Sequence, residues 1–367
     1  MNVIVIGKPK YNITLPLEDF PKEGSKIKIN ERLEITGGVS VYVACMLAKW
    51  GINVYYSGAV CADDFGNKIK SELESYGIDL KYLDTDYEHK SNVNYLIKNK
   101  KTGTSTEIYH DNDVFTKKYK FDFIPDYIIT DGTDMGACNA AANNYPTSKI
   151  ILFANTVSEE FYNLSKRCSF VCANMSFAKA LTKMDFEFNR SKSLVNMFQK
   201  IKDLNRAEYI IMLRERGVLY TVNRQVKMMP ALSVQKVDDS NSGAAFFGAY
   251  CYGILKGYDM DTIAKTANVS GALSLKTIGT LTSIPEKEEV FKLIGIDESK
   301  LVLSSNDVSD ANNMPKIVEK NENKPEDASQ NPNLEKAELP KEANAPIPLV
   351  SSSENKEVEG KPNNENG

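Results

Sequence analysis

The stretch Val237-Asp238-Asp239-Ser240-Asn241-Ser242-Gly243-Ala244-Ala245-Phe246-Phe247-Gly248 decides how this chain is read. An apolar residue gives way to a polar turn, and the turn to small residues that open the helix Ala244–Lys256. The first amides of a helix have no partner inside it, and the peptide dipoles sum to partial positive charge there. With no bulky side chains in the turn, amides from Asn241 to Ala244 are free to face an anion such as a phosphate. The plainer alternative is that Ser or Asn merely caps the helix. Gly-x-x-x-x-Gly-Lys-Ser/Thr occurs nowhere in the chain, which argues against a P-loop nucleotide site.

Upstream of this turn, apolar runs of strand length alternate with amphipathic stretches of helix length. Val3–Ile6, Val54–Val60, Tyr127–Thr130, Ile150–Phe153, Phe170–Cys172 and Tyr209–Leu213 read as buried strands. Ser40–Trp50, Phe65–Tyr76, Met135–Asn144 and Ser191–Leu204 read as the helices between them. Such alternation predicts an α/β fold, a mostly parallel sheet with helices on both faces, whose ligands bind beyond the carboxyl ends of the strands. Gly37-Gly38 falls between a predicted strand and a helix, either as a tight turn or as a place where backbone approaches a ligand. Two regions break the alternation. Ile13–Ile35 carries Pro16, Pro21 and Gly24 and then the alternating stretch Lys26–Ile35; Asn92–His110 alternates around a turn at Lys101–Gly103. Both predict antiparallel strands in a small β sheet, placed as a lid or as an edge extension. Downstream of the turn, helices are expected at Asp261–Leu275 and Lys287–Ile294.

Composition divides the 367 residues unevenly. Residues 304–367 contain no Phe, Tyr or Trp, hold seven of the fourteen prolines, and carry 13 acidic against 7 basic residues. A segment so poor in apolar groups cannot offset the entropy of ordering, so a disordered Pro/Asn/Glu-rich tail is expected there, after one domain over 1–303. No run of 18 apolar residues is present to span a membrane, and Met1–Lys10 reads as a first strand rather than a leader. The near-neutral body lacks the basic excess of a nucleic-acid binder. Six scattered cysteines suggest reduced thiols and a cytoplasmic protein. Cys168 and Cys172 are four apart, but a closed zinc site needs four ligands and no further Cys or His pair is near, so no metal is assigned to them.

Several ordered stretches of the chain resemble the PfkB, ribokinase-like, carbohydrate kinase family. They are Gly37-Gly38 with Ala44, Leu47-Ala48 and Gly51; Gly58-Ala59-Val60 with Asp63-Asp64-Phe65-Gly66; Asp131-Gly132; Val237–Gly257; Ala267-Asn268; and Ser283-Ile284-Pro285. The resemblance runs from residue 1 to about 296. It implies a ribokinase-like Rossmann-type domain with a β lid (strands about 13–35 and 92–110), often dimeric through that lid. It also implies ATP-dependent phosphoryl transfer to a sugar hydroxyl, with Mg as the divalent cation. Carried over residue by residue, it points to Asn12, Gly37, Gly38 and Tyr42 on the substrate side. On the nucleotide or anion side it points to Asn174, Asn241, Ser242, Gly243, Ala244 and Asn268.

At several of these positions the chain departs from the family pattern. The position of the family's proton-accepting Asp is Ala244, the early substrate Asp is Asn12, and the sugar-side Asn is Tyr42. The Asn-x-x-Glu motif keeps Asn174 but has Phe177 for its Glu, and the Thr-x-Gly element is Met212-Leu213-Arg214. A positioned general base is worth about 10²–10⁴-fold in rate, and Ala244 cannot accept a proton. The expectation is therefore a degenerate kinase with no standard catalytic residue, binding a sugar-like ligand or a partner, with ATP and Mg as cofactors if binding is retained. The alternatives are an active sugar or nucleoside kinase using Asp239 as base, and an interaction protein acting through its tail. Arg214 and Arg216 are either an anion contact or solvated surface.

Overall fold

The computed structural model describes residues 1–102, 104–185, 191–223, 225–298 and 301. In chain order its strands are β1 (Val3–Ile6), β2 (Lys10–Leu17), β3 (Leu33–Gly37), β4 (Val54–Cys61), β5 (Leu83–Asp86), β6 (Val93–Asn99), β7 (Ser105–Tyr109), β8 (Tyr127–Thr130), β9 (Lys149–Ala154), β10 (Phe170–Asn174), β11 (Glu208–Met212), β12 (Val218–Val222) and β13 (Gln225–Met229). Its helices are α1 (Val39–Lys49), α2 (Asp64–Ser75), α3 (Met135–Asn144), α4 (Glu159–Ser165), α5 (Met175–Thr182), α6 (Ser191–Leu204), α7 (Ser242–Lys256), α8 (Met260–Ser274) and α9 (Lys287–Ile294).

Each strand of a doubly covered sheet must be apolar on both faces, and β1 shows why. Alternate side chains point to opposite faces; Val3 and Val5 enter one core, Ile4 and Ile6 the other, and all four are fully buried. The resulting nine-stranded sheet has the order β13-β12-β11-β10-β9-β8-β1-β4-β5 and is parallel from β5 to β11. α1, α2, α7, α8 and α9 pack on one face; α3, α4, α5 and α6 pack on the other. This is the mostly parallel, two-faced α/β architecture that the alternation predicts.

The boundaries differ in informative places. The antiparallel hairpin β12–β13 extends the sheet beyond β11, and the short helices α4 and α5 fill connections that the sequence reading left empty. α7 begins at Ser242, two residues before the expected Ala244. The expected strand over Lys26–Ile35 is not formed; β3 begins only at Leu33. Ile27 is half exposed, so the Lys/Ile alternation there buries no apolar face. The antiparallel β2–β3 ladder ends at the Thr14–Leu33 pair, just before Pro16, which has no N–H to carry it further.

The small sheet has the order β3-β2-β6-β7, with β2–β3 and β6–β7 antiparallel and β2–β6 parallel. Strand parity places Asn12, Thr14, Asn94, Leu96 and Lys98 on one face, and Tyr11, Ile13, Tyr95 and Ile97 on the other. All six cysteines are buried free thiols, and burial pushes each of them up. Among the described residues no helix is long and apolar enough to cross a membrane. The tail expected over 304–367 lies outside the described residues.

Candidate functional site

The turn before α7 is organised by one carboxylate. Asp238 is almost fully buried, with 3% of its surface exposed. It accepts hydrogen bonds from the amide and hydroxyl of Ser240 and from the amide of Gly279. Its fourth donor is the Lys98 ammonium, at 2.8 Å, on the inner face of the lid sheet. Burial alone would raise the Asp238 carboxyl; Lys98 and the two Ser240 donors override it and hold the group below its ordinary value. The first amides of α7 have no partner inside the helix. Asn241 is the N-cap of α7, yet its side chain makes no cap bond; its Nδ2 donates to the Gly279 carbonyl. Ser242 and Gly243 are half-buried, and no acidic residue stands in the first turn of α7. A Cβ placed on Gly243 would meet only the Phe153 ring, at 3.4 Å. Unpaired amides, a helix dipole and small side chains together suit an anion.

The lid reaches this turn at several points. Lys98 also donates to Ser105 Oγ at 3.1 Å and approaches Asp239 at 3.5 Å, and the hydroxyls of Ser105 and Ser240 are 3.1 Å apart. Asn12 Nδ2 donates to Thr280 Oγ1 at 2.9 Å. The Asn12 amide lies against Gly37, where any Cβ would fall 2.1 Å from Nδ2, so Gly37 makes room for it. Gly38 has φ +104 and a Cβ there would sit 2.9 Å from the Lys8 carbonyl, so Gly38 is required by its backbone conformation and close backbone approach.

Other expected positions have different surroundings. Tyr42 is fully buried on α1, with its hydroxyl 3.4 Å from Ser283 Oγ, and it is a core side chain rather than one facing an open cleft. Asn174 caps α5: its Oδ1 accepts from the Phe177 amide and its Nδ2 donates to the Asn155 carbonyl. Phe177 is wholly buried beside Tyr162. Asn268 donates from α8 to the Pro230 carbonyl. Ala244 is 8% exposed in the first turn of α7, and Asp239 is partly exposed between Lys98 and Lys236. Arg214 and Arg216 are exposed on a short 3₁₀ turn after β11. The structure thus brings Asn12, Gly37 and Gly38 together with the lid, and Asn241, Ser242, Gly243 and Ala244 together at the turn.

Sequence reasoning missed Lys98, Ser105 and Thr280. The signal for Lys98 was present: in an alternating strand it shares parity with Asn94 and Leu96, the side opposite Tyr95 and Ile97. A lone lysine at an inward position of a strand calls for a buried carboxylate partner.

With this geometry in view, comparison with known proteins is specific. Residues 1–287 match the model of the pfkB family carbohydrate kinases, and the chain belongs to that family. It is 23% identical over 320 residues to deoxyribokinase of Salmonella typhi, covering 81% of this chain and 100% of that one. It is 20% identical over 308 residues to ribokinase of Bacillus subtilis, covering 80% and 99%. Arabidopsis thaliana ribokinase, solved in complex with ribose and ATP, superposes with a TM-score of 0.64 at 17% identity, covering 81% of this chain and 99% of that one. The fold is therefore ribokinase-like.

Proposed function

We propose that this chain is a pfkB-type kinase homologue that binds a nucleotide or related anion at the α7 turn and a sugar-like ligand beneath the lid. On this reading it transfers phosphoryl groups poorly or not at all and acts as a binding or regulatory protein. The observation that carries the reading is the first turn of α7, which has Ala244 and no acidic side chain. Asp238 cannot substitute, since its oxygens are occupied by Lys98, Ser240 and Gly279.

The site fits phosphate better than it fits a divalent cation. Mg is ordinarily held by one or two carboxylates together with substrate phosphates, where it neutralises developing charge. Here the amide of Asn174 is committed to its cap and to Asn155, Phe177 offers no donor, and Asp239 alone remains as a partly exposed carboxylate. Pairing with a second kinase-like chain through the outer lid face belongs to the same reading, supported by Tyr95 and Ile108, which are exposed side by side in register. A reduced, cytoplasmic setting suits six buried free thiols.

A second reading, an active kinase with Asp239 as base, is favoured by the partial exposure of that carboxylate beside the turn. An assay of ADP formation from ATP and Mg with D-ribose, 2-deoxy-D-ribose and adenosine separates the two. No acceptor-dependent turnover is expected. Turnover abolished by Asp239→Ala would replace the first reading with the second.

A further inference from the structure

The Lys98 ammonium is 1% exposed and stands in the seam between two separate parts of the fold. It projects from lid strand β6, yet its strongest partner is Asp238, 140 residues away, in the turn that opens α7. A buried ion pair holds its partners in one geometry because separating them leaves a desolvated charge unpaired. The remaining bonds across the seam point the same way. Ser105 of β7 meets Ser240, and Asn12 of β2 meets Thr280 beyond α8. Asp238 in turn holds the Gly279 amide, so the lid, the α7 turn and the 279–280 loop converge on a single carboxylate.

We propose that Lys98 is a latch: its ion pair with Asp238 clasps the lid over the α7 turn, so that ligand entry to the cleft is gated by release of this pair. The gate rests on the proposed reading only in taking that cleft as the ligand site; the clasp itself is a property of the ligand-free chain. Lys98 is thus a positioning residue acting through Asp238. Its second effect is to fix Ser240 and the Gly279 loop on either side of Asn241, which sets where the free amides of α7 point.

Hydrogen–deuterium exchange on the full, ligand-free chain tests the clasp. In Lys98→Met, amides of β6 and β7 are expected to exchange at least about tenfold faster than in the parent, while those of β1, β8 and β9 keep their rates. Unchanged lid exchange, or acceleration spread equally over the core, overturns the proposal. If Lys98→Met does not fold, Asp238→Asn, which removes the charge of the pair and keeps the side chain's shape, decides: faster exchange confined to the lid supports the latch, and no change overturns it. A parallel titration with ATP separates the two claims. Lid acceleration without ATP binding upholds the clasp and counts against the ligand reading; ATP binding without lid acceleration does the reverse.

Discussion

Two helices begin beside the same lid, and they treat their N-termini in opposite ways. At α1, the buried Asp131 carboxylate accepts the Ser40 amide at 2.8 Å, so the chain supplies its own anion. The same carboxylate accepts from the amide and hydroxyl of Thr133, and it is 2% exposed. At α7, the buried carboxylate of Asp238 is turned toward Lys98, Ser240 and Gly279, and the N-cap side chain makes no cap bond. On the proposed function this difference assigns anion binding to α7 and structural anchoring to α1, although both are preceded by small, turn-forming residues.

The largest break in this contrast is Asp131→Ala. Removing a buried carboxylate that satisfies three donors should cost about 3 kcal/mol in urea unfolding, with no direct loss of contacts at α7. Gly38→Ala comes next. Its φ of +104 and the Lys8 carbonyl 2.9 Å from any Cβ predict a loss of about 2 kcal/mol by the same measurement. The smallest change sharpens the contrast instead. Ser242→Asp would give α7 an internal anion of the kind α1 already has. It should stabilise the domain by about 0.5 kcal/mol and weaken ATP binding about tenfold, read by thermal unfolding and calorimetry. Unchanged ATP affinity in that variant would mean that the nucleotide does not sit at α7.

Much of the framework was legible because its signals are local. The both-sides-apolar strands, the glycine pair and the small residues of α7 each follow from short-range sterics and burial. The misjudged parts depend on partners distant in sequence. Lys26–Ile35 alternates as a strand would, but its ladder with β2 ends at the Thr14–Leu33 pair, beside Pro16. The parity of β6 marks Lys98 as sharing a face with Asn94 and Leu96, but no local pattern names its partner Asp238, in a turn 140 residues on. Ala244 was legible as a residue type alone, and the structure places it 8% exposed in the first turn of α7.

The central claim is that this chain keeps an anion site at α7 while lacking the carboxylate that phosphoryl transfer needs. Calorimetric titration of the full chain with ATP, with and without Mg, followed by an assay for ADP in the same samples after adding D-ribose, tests it most directly. The account predicts heat of binding that changes little with Mg, and no ADP above the ATP-only control. Acceptor-dependent ADP formation, or no binding heat at all, would contradict it.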